Sequence, residues 1–285
     1  MNILYINPDP PGMYNYYDDL RKRLCRVANC DSDNPDVVVY GLNWLAQTRE
    51  EVKEAISLDV PWVCFVHKTG LDWERKKKFL DKCDLVLSSV PGVGKLFKYA
   101  ADPNIFHNKK LERIFDFGFT GALHSEPERD QSAFPVPHLR RTIQGLARTQ
   151  EDLSLYLTGS DNVNKYRIKD YATYANILSQ SKIWMATTGP DGDIGPRYYE
   201  VCMSRTLLFC DEPPKEYQRY FRDGVNCVYF TIDNFVEKLR YYLENNEARE
   251  KIVNKACSEF ITNHSWSARA WELIDIINAT LSKIR

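Results

Sequence analysis

Neither sign of charge dominates this sequence: 38 Lys and Arg residues stand against 39 Asp and Glu, for a net charge of −1. A whole-chain basic field, the footprint of a nucleic-acid binder, is therefore excluded. No apolar run reaches the roughly 18–20 residues needed to span a bilayer. The apolar opening Met1–Asn7 runs straight into Pro8, Asp9 and Pro10, which does not read as a secretion signal. No C-x-x-C pair occurs among Cys25, Cys30, Cys64, Cys83, Cys202, Cys210, Cys227 and Cys257, so the spacing of a zinc knuckle is missing. Several of these cysteines lie in apolar runs such as WVCFV and LLFC, where a thiol acts as a small core hydrophobe. Strong repeats and low-complexity segments are also missing. The expectation is a cytoplasmic protein with reduced thiols. The basic clusters Arg21–Arg23 and Lys76–Lys78 read as solvated helix faces, with a peripheral membrane contact as the alternative.

What is present fits a globular protein. Hydrophobic residues make up 44% and charged residues 27% of 285, enough apolar content for a core and enough length for two domains. Short apolar runs predict strands at 3–6, 37–40, 62–66 and 85–88, alternating with helices at 14–27, 48–57, 73–82 and 93–99. A polar stretch at 101–112 reads as a linker. The second series places strands at 115–120, 153–157, 183–186, 207–210 and 228–230 among helices at 139–148, 171–180, 197–203 and 215–221. Helices at 233–244, 247–262 and 268–284 close the chain. Continuous apolar strands separated by helices point to parallel sheets, because a parallel strand needs a crossover to return. The expected class is α/β, with two doubly wound units and a ligand-binding switch point in each.

The densest chemistry lies in TTGPDGDIGPRYYEVCMSRTLLFCDE, residues 187–212. Gly189, Gly192 and Gly195 fall between a predicted strand and a predicted helix that Pro196 opens. Glycine lets the backbone approach a ligand, and a helix N-terminus offers partial positive charge, so phosphate is the natural guest. Arg197 can add a bidentate phosphate contact. Glu200, one turn later on the same side, can accept two hydroxyl hydrogen bonds, as from a ribose diol. Spacing alone fits equally a tight βα loop with a surface Arg/Glu pair, since no strict G-x-G-x-x-G is present.

The segment DIGPRYYEVCMSRTLLFCDEP, with DGVNCVYF, DNFVEKLRYYLENNEAREKI and HSWSARAWELI after it, resembles the donor-binding half of GT-B glycosyltransferases. Within that fold it is most similar to the group-1-like subfamily that includes CgeB-type proteins. The resemblance covers roughly Phe115 to Ile274. It implies two Rossmann-like domains facing a cleft: 1–108 on the acceptor side, 109–266 for the nucleotide sugar, and a last helix at 267–285 crossing back to the first. It also implies a ribose-binding Glu200, a sugar-diphosphate loop around Gly192 and Gly195, and an arginine at Arg197. The strand-ending Gly121 and Gly159 would approach the donor. The sequence departs from the family at two places. An upstream acid would fall at Gly192, between Asp191 and Asp193, and the usual glycine five residues after Glu200 is Arg205. The R-x-x-E pattern occurs in exostosin-like transferases too, which leaves inverting chemistry open.

In the first half, His67 ends the strand WVCFV and Asp9 sits in NPDPPG. Either could serve as the catalytic base, while a capping histidine and a turn-forming aspartate explain them as well. His124, Glu126, Arg129 and Asp130 form a polar loop that reads as solvated, and Tyr14, Tyr16 and Tyr17 fit sugar stacking or helix packing. The expected function is transfer of a hexosyl or pentosyl group from a nucleotide diphosphate sugar, UDP or GDP type, to a glycan or other hydroxyl acceptor, as in polysaccharide biosynthesis. No cofactor or metal is implied, nor a nucleic-acid partner. A non-catalytic binding protein of the same fold and a nucleotide-sugar epimerase are the alternatives.

Overall fold

The computed structural model describes residues 1–6, 16–42, 57–66, 73–123, 136–160, 168 and 170–284. Its contacts divide the chain into one unit of residues 1–99 with 266–285 and a second of residues 100–265.

The first unit is built on a parallel sheet of six strands: β1 (Asn2–Ile6), β2 (Asn29–Cys30), β3 (Val37–Leu42), β4 (Trp62–Val66), β5 (Leu85–Ser88) and β6 (Lys95–Leu96), in the order β2-β1-β3-β4-β5-β6. Every residue of β4 is buried, as an inner strand covered on both faces demands. Trp62, Cys64 and Val66 share one hydrophobic cluster with Leu80 of helix α2 (Trp73–Leu80). Phe79 of the same helix stands edge-on to Tyr40, with ring centroids 5.4 Å apart. Helix α1 (Tyr16–Leu24) packs on the chain's last helix, Trp266–Ile284. The strand order reverses at β1, so the switch point lies where β1 and β3 end.

The second unit holds a parallel sheet of five strands: β7 (Phe115–Phe119), β8 (Leu155–Leu157), β9 (Ser181–Ala186), β10 (Leu207–Cys210) and β11 (Val228–Tyr229), in the order β11-β10-β9-β7-β8. Its helices are α3 (Val136–Arg148), α4 (Tyr171–Ser179), α5 (Pro196–Met203), α6 (Lys215–Gln218), α7 (Phe235–Glu244) and α8 (Asn246–Asn263); Trp266–Ile284 is α9. The core gathers Phe117, Phe119, Ile183, Met185 and Phe209 from three strands with Ile143 and Phe235 from helices. Here the order reverses between β7 and β9.

Two expectations change. Residues 93–99 form no helix, because Gly92 and Gly94 take φ of +80° and +61° and Lys95–Leu96 pairs with Leu87 and Ser88 as an edge strand. A Cβ on Gly94 would lie 2.4 Å from the Val86 carbonyl oxygen, so the backbones meet there too closely for a side chain. The stretch 101–112 is no free linker. The Ala101 N–H donates to the His264 carbonyl at 3.3 Å, and buried Phe106 stands edge-on to Tyr171 and Tyr174. Polarity hid that anchoring, since backbone hydrogen bonds and a single phenylalanine make it. The last helix begins at Trp266 and groups with the first unit. Among the described residues no helix is long and apolar enough to cross a membrane, and all eight cysteines are free thiols.

Gly118 in β7 is fixed by packing. A Cβ there would fall 2.1 Å from Cε3 of Trp184, whose buried ring is backed by Tyr156 and Tyr174 at centroid distances of 6.0 Å. Gly118→Ala should therefore lower unfolding stability by about 3 kcal/mol, the upper part of the overpacking range. Gly145, inside α3, has nothing within 4 Å of its virtual Cβ. Gly145→Ala should raise stability by about 0.5–1 kcal/mol through helix propensity. Urea unfolding of the two variants beside the parent checks both signs.

Candidate active site at the second switch point

Strand β9 ends at Ala186, and a loop of residues 187–195 leads into α5. The loop closes on itself: the Gly189 N–H donates to the Asp193 carbonyl at 2.8 Å, and the Gly192 N–H to the Gly189 carbonyl at 2.9 Å. Gly192 has φ +79°, and a Cβ on Gly189 would lie 1.9 Å from Oδ1 of Asp193, so both positions require glycine. Gly195 is the N-cap of α5 in extended conformation, and a Cβ there would meet nothing within 4 Å. The mouth of the helix is thus open, and Pro196 at its first position removes a donor that the helix does not need.

Two arginines converge on this helix start. The Arg197 Nη1 lies 3.0 Å from where a Cβ of Gly121 would sit, and Gly121 has φ +152°, so its glycine serves the guanidinium and the backbone together. Arg140 reaches in from α3: its Nε donates to Oγ1 of Thr187 at 2.7 Å and its Nη1 to the Ala122 carbonyl at 3.0 Å. Burial first, then the like charge of Arg197, pulls the Arg140 guanidinium down to about 10. Arginine stays charged at neutral pH even so. Asp211, Tyr198 and Asp193 offset part of that depression.

The opposite wall is acidic and hydrogen-bonded. Oδ1 of Asp211, just past β10, accepts from the Thr188 N–H at 2.8 Å and from the Tyr198 hydroxyl at 3.0 Å. Burial raises its pKa and those hydrogen bonds pull it back. Glu200 is buried, at 4% exposure, one turn beyond Arg197. Burial and then the Glu200 charge raise the pKa of the Tyr171 phenol. The Tyr174 phenol is also raised by burial, with Arg197 lowering it and Glu200 adding to the rise.

Among the residues that the sequence singled out, Gly121, Gly192, Gly195, Arg197 and Glu200 thus surround one helix start. Gly159 stands apart. Its missing Cβ would meet Oε1 of Gln144 at 2.4 Å and the Phe119 ring at 2.6 Å, a packing requirement. His67, Asp9, His124, Glu126, Arg129, Asp130 and Tyr14 lie outside the described residues. Arg205, where the family's glycine was expected, takes φ +57°. Its N–H donates to the Cys202 carbonyl and that of Thr206 to the Val201 carbonyl, both at 3.3 Å, a Schellman closure of α5. The side chain turns outward to Glu250 at 2.9 Å. Arg140, Thr187 and Asp211 were not legible as site residues: in LRRTIQGL an arginine pair looks like a solvated helix face. The acidic residues after LLFC were the one hint of Asp211.

Residues 133–275, half of the chain, match the sequence model of a family described as glycosyl transferase-like. Compared with curated proteins by sequence, the chain has no match. Sucrose-phosphate synthase from Thermosynechococcus elongatus superposes with a TM-score of 0.65 at 11% identity, over 99% of both chains. HepE of Anabaena, solved with UDP and glucose, gives 0.63 at 10% identity, over 98% of this chain and 100% of its own. TarM of S. aureus gives 0.56 at 10% identity over 85% of this chain, which spans only 54% of TarM. At such identities the likeness speaks for the fold.

Asp211→Ala leaves the buried Thr188 N–H and Tyr198 hydroxyl without their acceptor. It should cost about 2–4 kcal/mol of stability, from about 1–3 kcal/mol for each orphaned group. Asp211→Asn keeps an oxygen there and should cost less than half as much. Equal losses in denaturant titrations would show that charge, not hydrogen bonding, holds the loop.

Proposed function

Because the chain belongs to the glycosyl transferase-like family and its two parallel α/β units have the GT-B architecture, we propose that it moves a hexosyl or pentosyl group from a nucleotide diphosphate sugar to a hydroxyl acceptor, without a metal ion. The observation that carries this reading is the Arg140–Arg197 pair at the open N-terminus of α5. Two cations and a helix dipole suit a diphosphate. As the bond from the anomeric carbon to the diphosphate oxygen breaks, negative charge grows on the leaving group, and donors held ready there stabilise it most in the transition state. The acceptor oxygen then bonds to the anomeric carbon, and its proton passes to a base, for which His67 and Asp9 are the candidates. Glu200, one turn along, accepts from the ribose diol.

A uridine donor is favoured by the UDP bound in HepE, with GDP as the other choice, and a glycan fits as acceptor. Metal independence is supported by the paired arginines. Eight free thiols suit the reducing cytoplasm.

Titration calorimetry with UDP and GDP tests the site. Glu200→Gln should weaken the better ligand by about 1–3 kcal/mol, and Arg140→Gln by about 1.5–3 kcal/mol, the range for hydrogen bonds to charged groups. Unchanged affinity in both folded variants would remove the diphosphate assignment. Tight binding without turnover of labelled donor would leave a nucleotide-binding protein. Transfer should survive EDTA; loss on chelation and recovery with Mn²⁺ would reassign Asp191 and Asp193 to a metal.

A further inference from the structure

Helix α9 buries Trp266, Ala270, Leu273 and Ile277, yet leaves Trp271 56% exposed. Trp62, Trp184 and Trp266 are all buried. An exposed indole forgoes apolar burial, and here it stands in a shallow depression that is open to solvent. It lines a pocket of about 510 Å³, within the size range of small-ligand sites. Ala268, Trp271, Asp275 and Ala279 follow one another at helical spacings of three and four residues, so the indole lies between the small Ala268 and the carboxylate of Asp275, with Ala279 a turn beyond. Glu272 and Asp275 line the same pocket, with Lys95 from the edge strand β6. Glu272 is held in place by two buried cations, Lys98 at 3.1 Å and Arg269.

We propose that this pocket binds a neutral saccharide unit of the acceptor glycan. The inference takes the glycan acceptor from the function proposed above. A pyranose has an apolar face of C–H groups and a rim of hydroxyls. The indole offers a flat apolar partner, with the small Ala268 on one side and the Asp275 carboxylate on the other. Carboxylates accept from hydroxyls, an ammonium donates to them, and a carboxylate held by Lys98 and Arg269 loses little freedom on binding. The same carboxylates disfavour phosphorylated, sulfated or uronic ligands. They also disfavour self-association, since a two-fold contact through this face would set it against its own charges. A partner helix would need a longer apolar groove than one indole beside an alanine provides.

The full chain is screened on an array of neutral and acidic glycans. The strongest neutral oligosaccharide is then titrated by calorimetry against the parent, Trp271→Phe, Trp271→Ala and Asp275→Asn, with UDP titrated in parallel. We expect neutral binders only, a loss of at least tenfold for Trp271→Ala, a smaller loss for Trp271→Phe, and about threefold for Asp275→Asn, with UDP affinity unchanged. The proposal is overturned by an array without neutral binders, by equal affinity in parent and Trp271→Ala, or by light scattering in which Trp271→Ala turns a dimer into a monomer. Saccharide binding without nucleotide binding would overturn the transferase reading and leave the pocket standing. Nucleotide turnover without a Trp271-dependent saccharide would do the reverse.

Discussion

Two guanidinium groups placed within reach of each other make an unfavourable arrangement unless something holds them or something answers them, and the second unit does the holding. Thr187 and the Ala122 carbonyl take two donors of Arg140, and the missing side chain of Gly121 leaves room for the Arg197 guanidinium. These three anchors come from the ends of β7 and β9, the two strands between which the order reverses. A parallel sheet brings all its carboxyl ends to one edge, and the reversal splits the helices to either side. The place where a ligand finds room is therefore also the place where α3 and α5 can each lend a cation. The lowered Arg140 pKa reflects burial first and the neighbouring Arg197 second, a cost that the fold bears at this helix start.

Readiness also needs α5 to stay where it is, and both of its ends are fixed by backbone. At the start, the hydrogen bonds among Gly189, Gly192 and Asp193 fold the loop, and Asp211 ties Thr188 to Tyr198. At the finish, the Schellman bonds stop the helix with Arg205 in the left-handed region, which costs a non-glycine residue about 1–2 kcal/mol. The ion pair with Glu250 and a bond to Asn254 offset part of that cost. Between the ends, Tyr199 packs against Phe221, Phe260 and His264. Arg197 and Glu200 inherit their positions from this frame, one turn apart on a helix with little freedom to shift.

Much of this was legible in the residues. Runs such as WVCFV, SKIWMA and LLFC announce inner strands because a parallel sheet leaves neither face to water, and Gly195-Pro196 announces a helix start. Two-residue strands such as Asn29–Cys30 and Lys95–Leu96 carry no period, so nothing marked them. The run 93–99 has helical composition, and only the positive φ of Gly92 and Gly94 turns it extended. The place of Arg205 shows the limit of reasoning by type. A left-handed position prefers glycine, yet hydrogen bonds on both sides and an outward ion pair let arginine occupy it. Arg140 was hidden for a different reason: its role depends on where α3 docks, and docking is set by contacts far apart in sequence.

Burial alone does not separate the arginine proposed for the diphosphate from a structural one. Arg113 is half-buried like Arg140, and burial lowers its pKa in the same direction. Its Nη1 donates to the Ser181 carbonyl at 2.5 Å and to Oγ1 of Thr206 at 3.0 Å, and Nη2 bonds the Arg205 carbonyl. It thereby ties the turns after α4 and α5, where helix carbonyls run out of partners and a cation is welcome. Acceptors surround that charge, so the fold itself explains it. Arg140 gives two of its five N–H donors to Thr187 and Ala122 and faces a second cation. Asp211 and Asp193 answer part of its charge, and the donors that Thr187 and Ala122 leave over are what the proposed diphosphate would engage.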